Sequence, residues 1–127
     1  MNRAERGRIG EDTCIWYLEK HGYVTLDRNV HSRYGEIDVI AENDTFLCFV
    51  EVKTRAADAV VSPVEAVDYK KQQKIVLTAQ RYLQAHPTDK QPRFDVFEVI
   101  LGADGRPKQV RFLEDAFDAS CLDGLYY

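Results

Sequence analysis

The stretch from Gly35 to Arg55 constrains this chain more than any other. It reads as two apolar strands, Glu36–Ala41 and Phe46–Thr54, joined by Glu42-Asn43-Asp44-Thr45. Asn and Asp tolerate the backbone angles of a tight reversal, so the spacing predicts a β-hairpin. Side chains on a strand alternate between faces. Ile37, Val39 and Ala41 therefore share one face with Cys48, Val50 and Val52, which is wholly apolar and expected to be buried. The opposite face carries Glu36, Asp38 and Ile40, then Leu47, Phe49, Glu51 and Lys53. A turn centred between Asp44 and Thr45 sets Asp38 directly opposite Glu51. Facing carboxylates destabilise a sheet, and half-buried ones are costly without compensation. A divalent cation removes both objections, and Lys53 offsets part of the charge without one. The alternative is a solvated face with a salt bridge, but the apolar residues flanking the carboxylates on both strands weigh against it.

A chain of 127 residues is long enough for one domain with its own core. Single-domain organisation over residues 1–127 is expected, with residues 114–127 an acidic tail. The N-terminus lacks the apolar core of a signal peptide, and no apolar run reaches membrane-spanning length. Cys14, Cys48 and Cys121 are odd in number and lack metal-ligand spacing, so reduced core thiols in a cytoplasmic protein are expected. The net charge of −4 argues against strong general affinity for nucleic acid. Basic residues nonetheless surround the hairpin's charged end in sequence, among them Arg3, Arg6, Arg8, Arg28, Arg33, Arg55, Lys70, Lys71 and Lys74. A local basic surface around an acidic pocket remains compatible with that total.

Periodicity predicts a helix from Ala4 to His21, stopped by Gly22, with Glu11 on the same side as Cys14, Ile15 and Leu18. Glu11 is either a helix-edge residue paired with an arginine such as Arg8 or a functional carboxylate; spacing does not choose. Tyr23–Val30 reads as the first strand. His31 and Arg33 follow in a polar connection, as exposed loop residues or as phosphate contacts. Ala56–Val61 reads as a mobile loop beside the site. A second helix is expected from Ser62, with Pro63 at its first position and Glu65 completing a capping box, to about Ala85. Val64, Val67, Ile75, Ala79 and Tyr82 or Leu83 form its apolar stripe. Lys71 falls inside that stripe with Gln72 beside it, and a lysine there can simply snorkel to water. Arg93–Leu101 is expected as an internal strand, Gln109–Leu113 as a short last strand, and Glu114–Tyr127 as a short helix or loose tail. The order fits a mixed sheet flanked by helices, with a parallel crossover through the second helix.

Asp38 followed by Glu51-Val52-Lys53 on the next strand resembles the core of the PD-(D/E)XK nucleases, with Ile37 in place of the proline. The chain is identified as a member of the YraN-like family on a longer series. That series is Gly7-Arg-Ile-Gly-Glu11, Arg28-Asn29, Gly35 to Ala41, Phe49 to Arg55, Lys71-Gln-Gln-Lys74, Arg93-Phe-Asp-Val96 and Asp115-Ala-Phe117. The resemblance extends to the nuclease core of archaeal Holliday-junction resolvases. It implies a restriction-endonuclease-like α/β fold with an αβββαβ core and a Mg²⁺- or Mn²⁺-dependent phosphodiesterase site acting on DNA, with branched DNA as an expected substrate. Asp38, Glu51 and the Val52 carbonyl would be metal ligands, with Glu11 reaching the metal through water. Lys53 would orient or deprotonate the attacking water. Glu36, Lys71 and Gln72 would support the site, and Arg33, Arg55 and Lys74 would contact nucleic acid. Oxygen ligands without sulfur or imidazole favour magnesium over zinc. A non-catalytic nucleic-acid-binding module and an interaction subunit of a DNA-processing complex are the alternatives, and a protein partner or homodimer stays open.

Overall fold

A computed structural model describes residues 1–57 and 67–123. The elements run α1 (Arg3–Lys20), β1 (Val24–His31), β2 (Glu36–Glu42), β3 (Phe46–Ala56), α2 (Tyr69–Ala85), β4 (Gln91–Leu101) and β5 (Pro107–Phe117), with a final 3₁₀ turn at Ala119–Leu122. The five strands form one sheet in sequence order. Neighbours are antiparallel except β3 and β4, which are parallel. The chain between those two strands is long enough to carry a helix, as a parallel return requires. β4 is internal, as its apolar run predicts, and β1 and β5 are the edges.

The β2–β3 reversal is held by Asn43, whose Oδ1 accepts from the N–H groups of Thr45 and Phe46. This anchors the expected register: Val39 pairs with Val50, Ile40 with Phe49 and Ala41 with Cys48. The two faces of the sheet bury different sets. Cys14 and Leu18 of α1 pack on Val39, Ala41, Cys48, Val50, Phe97 and Val99. Ile75, Val76, Ala79 and Tyr82 of α2 pack on Ile40, Leu47, Phe49, Phe94 and Val96. A fully buried Phe49 or Phe97 side chain stabilises such a core by roughly 2–3 kcal/mol. α1 lies close on β3 at Gly10, where a Cβ would run into the Thr54 side chain.

One sequence expectation about the hairpin faces needs correction. Ile37 does not pack with Val39 and Ala41; it joins the α2-side cluster with Ile40 and Phe49. The period-2 alternation breaks at Asp38. Two local features coincide with the break. Asn29 lies between the residues paired with Ile37 and Val39, and its φ of 52° turns the backbone left-handed. On the other side, the β2–β3 ladder ends at Val39–Val50, and beyond it the Val52 N–H donates to Asp38 Oδ2 at 2.8 Å. A side chain has replaced a ladder bond.

The second helix also differs. Ser62, Pro63, Val64 and Glu65 lie outside the described residues, as does most of the Ala56–Val61 segment. Val67 and Asp68 are not helical, however, and α2 starts at Tyr69, capped by Asp68, which accepts from the Lys71 N–H at 2.8 Å. Val67 is buried in the core ahead of the cap, and this fixes the chain's approach. Its last residue, Ala85, is as expected. β5 runs to Phe117, so Glu114–Phe117 belong to the sheet rather than to a tail, and residues 124–127 lie outside the described residues. No helix among the described residues is long and apolar enough to cross a membrane.

Candidate active site

The break at Asp38 shapes the site. Asp38 from β2 and Glu51, Val52 and Lys53 from β3 line one cleft of about 450 Å³. Arg3, Arg6, Gly7 and Glu11 of α1 close one wall, and Glu36 and Lys71 another. Glu51 is only 4 % exposed and is held by two ammonium groups, Lys71 Nζ at 2.8 Å and Lys53 Nζ at 3.5 Å. Lys71 therefore does not merely snorkel. Its stem leaves the apolar stripe of α2, and its charge meets a buried carboxylate.

The electrostatics divide these groups. Burial pushes Asp38 up to about 7, and the neighbouring Glu51 charge pushes the same way, while the Val52 N–H pulls down. Two lysines on Glu51 thus do not keep Asp38 acidic. Burial opposes the charge on both lysines. For Lys71 the bond to Glu51 more than offsets it, so its affinity for a proton rises. For Lys53 the Glu51 charge does not, and the Lys71 charge adds to the burial cost, so its pKa falls.

Glu11 stands in the same cleft but is engaged elsewhere. It accepts from Arg28 Nη2 and Asn29 Nδ2, both at 3.2 Å. The partner is Arg28 on β1, not Arg8 on its own helix. Asp12 shares the same guanidinium at 3.1 Å. Among the described residues no three His, Cys, Asp or Glu side chains are gathered as a metal site. Asp38 and Glu51 offer the oxygen ligands a hard cation takes, in a cleft that also holds the ammonium groups of Lys53 and Lys71. Mg²⁺ is commonly held by one or two carboxylates with the remaining ligands from water and phosphate.

The other expected site residues scatter. Glu36 is exposed at the cleft mouth, 3.5 Å from His31 Nδ1. Lys74 lines an adjoining cleft of about 390 Å³ with Gly35, Glu36, Asp68, Lys70, Lys71 and Ile75. Gln72 turns away, donating to the Val67 carbonyl at 3.0 Å. Arg33 lies over the Tyr34 ring and donates to its hydroxyl at 2.7 Å. Arg55 pairs with buried Glu98 at 3.1 Å, farther along β3 than the cleft.

Sequence reading passed over a second buried charge pair. Arg93 donates to Asp95 through Nε at 2.8 Å and Nη2 at 3.0 Å, and to the Tyr23 hydroxyl at 2.8 Å. Asp95 also accepts from the Asp115 N–H at 2.8 Å, where β5 bulges with φ 53°. Burial opposes both charges. The bonds outweigh it at Arg93, whose basicity rises, but not at Asp95, whose pKa also rises. The two-point geometry favours the ionised pair. The signal available was an Arg and an Asp two residues apart on one face of an internal strand.

The matched regions of known proteins span this cleft. A family model described as uncharacterised protein family UPF0102 matches residues 10–99, which include Glu11, Asp38, Glu51, Lys53 and Lys71. A UPF0102 protein of Clostridium acetobutylicum is 42% identical over 120 residues, covering 92% of this chain and 98% of that protein. A relative from Dictyoglomus thermophilum is 40% identical over 92% of this chain and 100% of its own length. One from Clostridium botulinum is 41% identical over 87% and 92%. Matched over most of its length in this way, the chain belongs to the UPF0102 family, the YraN family.

Proposed function

We propose that the protein is a Mg²⁺- or Mn²⁺-dependent endonuclease of the PD-(D/E)XK type, hydrolysing DNA phosphodiester bonds and acting on branched DNA. The observation that carries the reading is the meeting of Asp38, Glu51 and Lys53 in one cleft, on two adjacent strands whose pairing gives way at that point. A divalent cation bound by Asp38, Glu51 and the Val52 carbonyl would supply charge for the phosphoryl oxygens and acidity for a water. The chain's own residues do the rest. Lys53, eased toward its neutral form, orients the attacking water and accepts its proton at Nζ. Lys71 stays charged and holds Glu51 in place. Arg3 and Arg6, on the cleft wall, attract the flanking phosphates. Water oxygen bonds to phosphorus as the bond to the leaving oxygen breaks. Three unpaired, buried thiols accord with a reducing, cytoplasmic setting.

A second reading, a nucleic-acid-binding module without turnover, is favoured by one observation. Glu11 is committed to Arg28 and Asn29, so α1 brings no uncommitted carboxylate to Asp38 and Glu51. The test is cleavage of labelled four-way junctions, flaps and single strands by purified protein with Mg²⁺ or Mn²⁺, beside Glu51→Gln. Cleavage by the wild type alone supports the nuclease. Equal cleavage by both points to contamination and overturns it, and salt-sensitive binding without cleavage establishes the module instead.

A further inference from the structure

The acidic cleft has a neighbour. A second cleft of about 510 Å³ lies on the β1 side of α1, lined by Ala4, Gly7, Arg8, Glu11, Asp12, Arg28 and Asn29. Gly7 and Glu11 line both clefts, so they form the ridge between them. Residues four apart stack on one helical face, and a side chain at position 7 would raise that ridge one turn before Glu11. Gly7 has none. A Cβ built there meets nothing within 4 Å, so packing does not demand glycine at this point. Gly10, one turn on, is the opposite case, because Thr54 fills the space. A glycine inside a helix lowers its stability relative to alanine. Position 7 thus carries a penalty that the folded chain alone does not explain.

The surroundings indicate what crosses the gap. Arg3 and Arg6 stand on one side of the ridge and Arg8 on the other. Among the described residues none of the three has a carboxylate within 4.0 Å. Glu11, the acidic member of the ridge, is paired with Arg28, which Asp12 shares.

We propose that one strand of a nucleic acid crosses α1 over Gly7, its phosphates held by Arg3 and Arg6 on the acidic side and by Arg8 on the β1 side. This rests on the nucleic-acid reading above and extends it. The bound strand occupies both clefts, and Gly7 is the saddle that joins them. Gly7 is a binding residue through the absence of a side chain, and Arg8 acts although it lies outside the acidic cleft.

The experiment measures anisotropy of a labelled single-stranded DNA oligonucleotide with the full chain, together with thermal unfolding. Gly7→Ala and Gly7→Leu are expected to raise Tm by about 3 °C, since both favour helix. Gly7→Leu is expected to weaken binding about tenfold, while a dinucleotide, short enough for one cleft, binds as it does to the wild type. Arg8→Glu provides a second arm that does not depend on α1 tolerating leucine. It should weaken oligonucleotide binding as strongly as Arg3→Glu. Wild-type affinity in Gly7→Leu, or no effect of Arg8→Glu beside a large effect of Arg3→Glu, overturns the crossing while leaving the nucleic-acid reading in place. A wild type that binds a labelled four-way junction but not this oligonucleotide overturns the crossing alone, and one that binds neither removes the nucleic-acid reading as well.

Discussion

Lys71 Nζ lies 2.8 Å from Glu51 Oε1, joining the first turn of α2 to the middle of β3 across the mouth of the acidic cleft. The carboxylate is almost fully buried and the lysine is partly exposed. Removing the lysine therefore leaves a buried charge with only the longer contact to Lys53. Lys71→Met is expected to destabilise the fold by about 1–2 kcal/mol, solvent screening keeping the loss below that of a fully buried pair. Urea unfolding at pH 8 measures it. Wild-type stability in the variant would show that Lys53 and water compensate Glu51 alone.

Asp38 makes stability depend on pH in an unusual direction. Its pKa stands near 7 in the folded chain against 3.8 for an unperturbed group. The folded chain binds the proton more tightly than the unfolded one. The resulting stabilisation is present below about pH 4 and is lost as pH climbs to 7. Asp38→Asn keeps an acceptor for the Val52 N–H and removes the titration. It should raise stability at pH 8 by about 2–4 kcal/mol and flatten the profile between pH 4 and 7. Chelator-treated protein followed by urea unfolding across that range tests this, and an unchanged slope in the variant would assign the pH dependence to other groups.

Metal binding has a readout that needs no substrate. A cation that binds the ionised pair stabilises the folded chain by about 2.7 kcal/mol at a hundredfold excess over its Kd. Mg²⁺ should therefore raise Tm at pH 8 and do so less at pH 5.5, where Asp38 holds its proton. Glu51→Gln should abolish the rise. A Tm that responds equally in wild type and variant would place the ion elsewhere.

The Arg93–Asp95 pair predicts a large stability effect remote from the chemistry. Asp95→Ala strands a buried guanidinium and frees the Asp115 N–H, and should cost about 3–5 kcal/mol. Arg93→Met with Asp95→Leu removes both charges and should recover much of that loss. Comparing single and double variants by urea unfolding decides the matter. A double variant as unstable as the single would mean that the bond to Asp115, not the charge pair, holds β5 in place.

Much of this protein is local and periodic, and that part is legible in its residues. The β2–β3 hairpin follows from alternation with Asn43 at the turn, α1 from its spacing, and β4 from an apolar run too long for an edge. Counting from the turn gives the register as far as Val39–Val50, but at Asp38 the alternation breaks, and a bond from the Val52 N–H that no count supplies holds its carboxylate against β3. The Ser62-Pro63 signal predicts an earlier start for α2 than Tyr69 because it is local, whereas burial of Val67 ahead of the Asp68 cap is a tertiary effect.

What sequence by itself determined is the family of elements and the strands that bear the acids and lysines. Tertiary structure alone decided which partner each charge takes: Lys71 with Glu51, Glu11 with Arg28 rather than Arg8, Arg55 with Glu98, Arg93 with Asp95 and Tyr23. The reason is physical. Backbone periodicity places a side chain on a face, but a long charged side chain reaches groups distant in sequence. Its choice among them depends on burial and on which opposite charges packing has left without water.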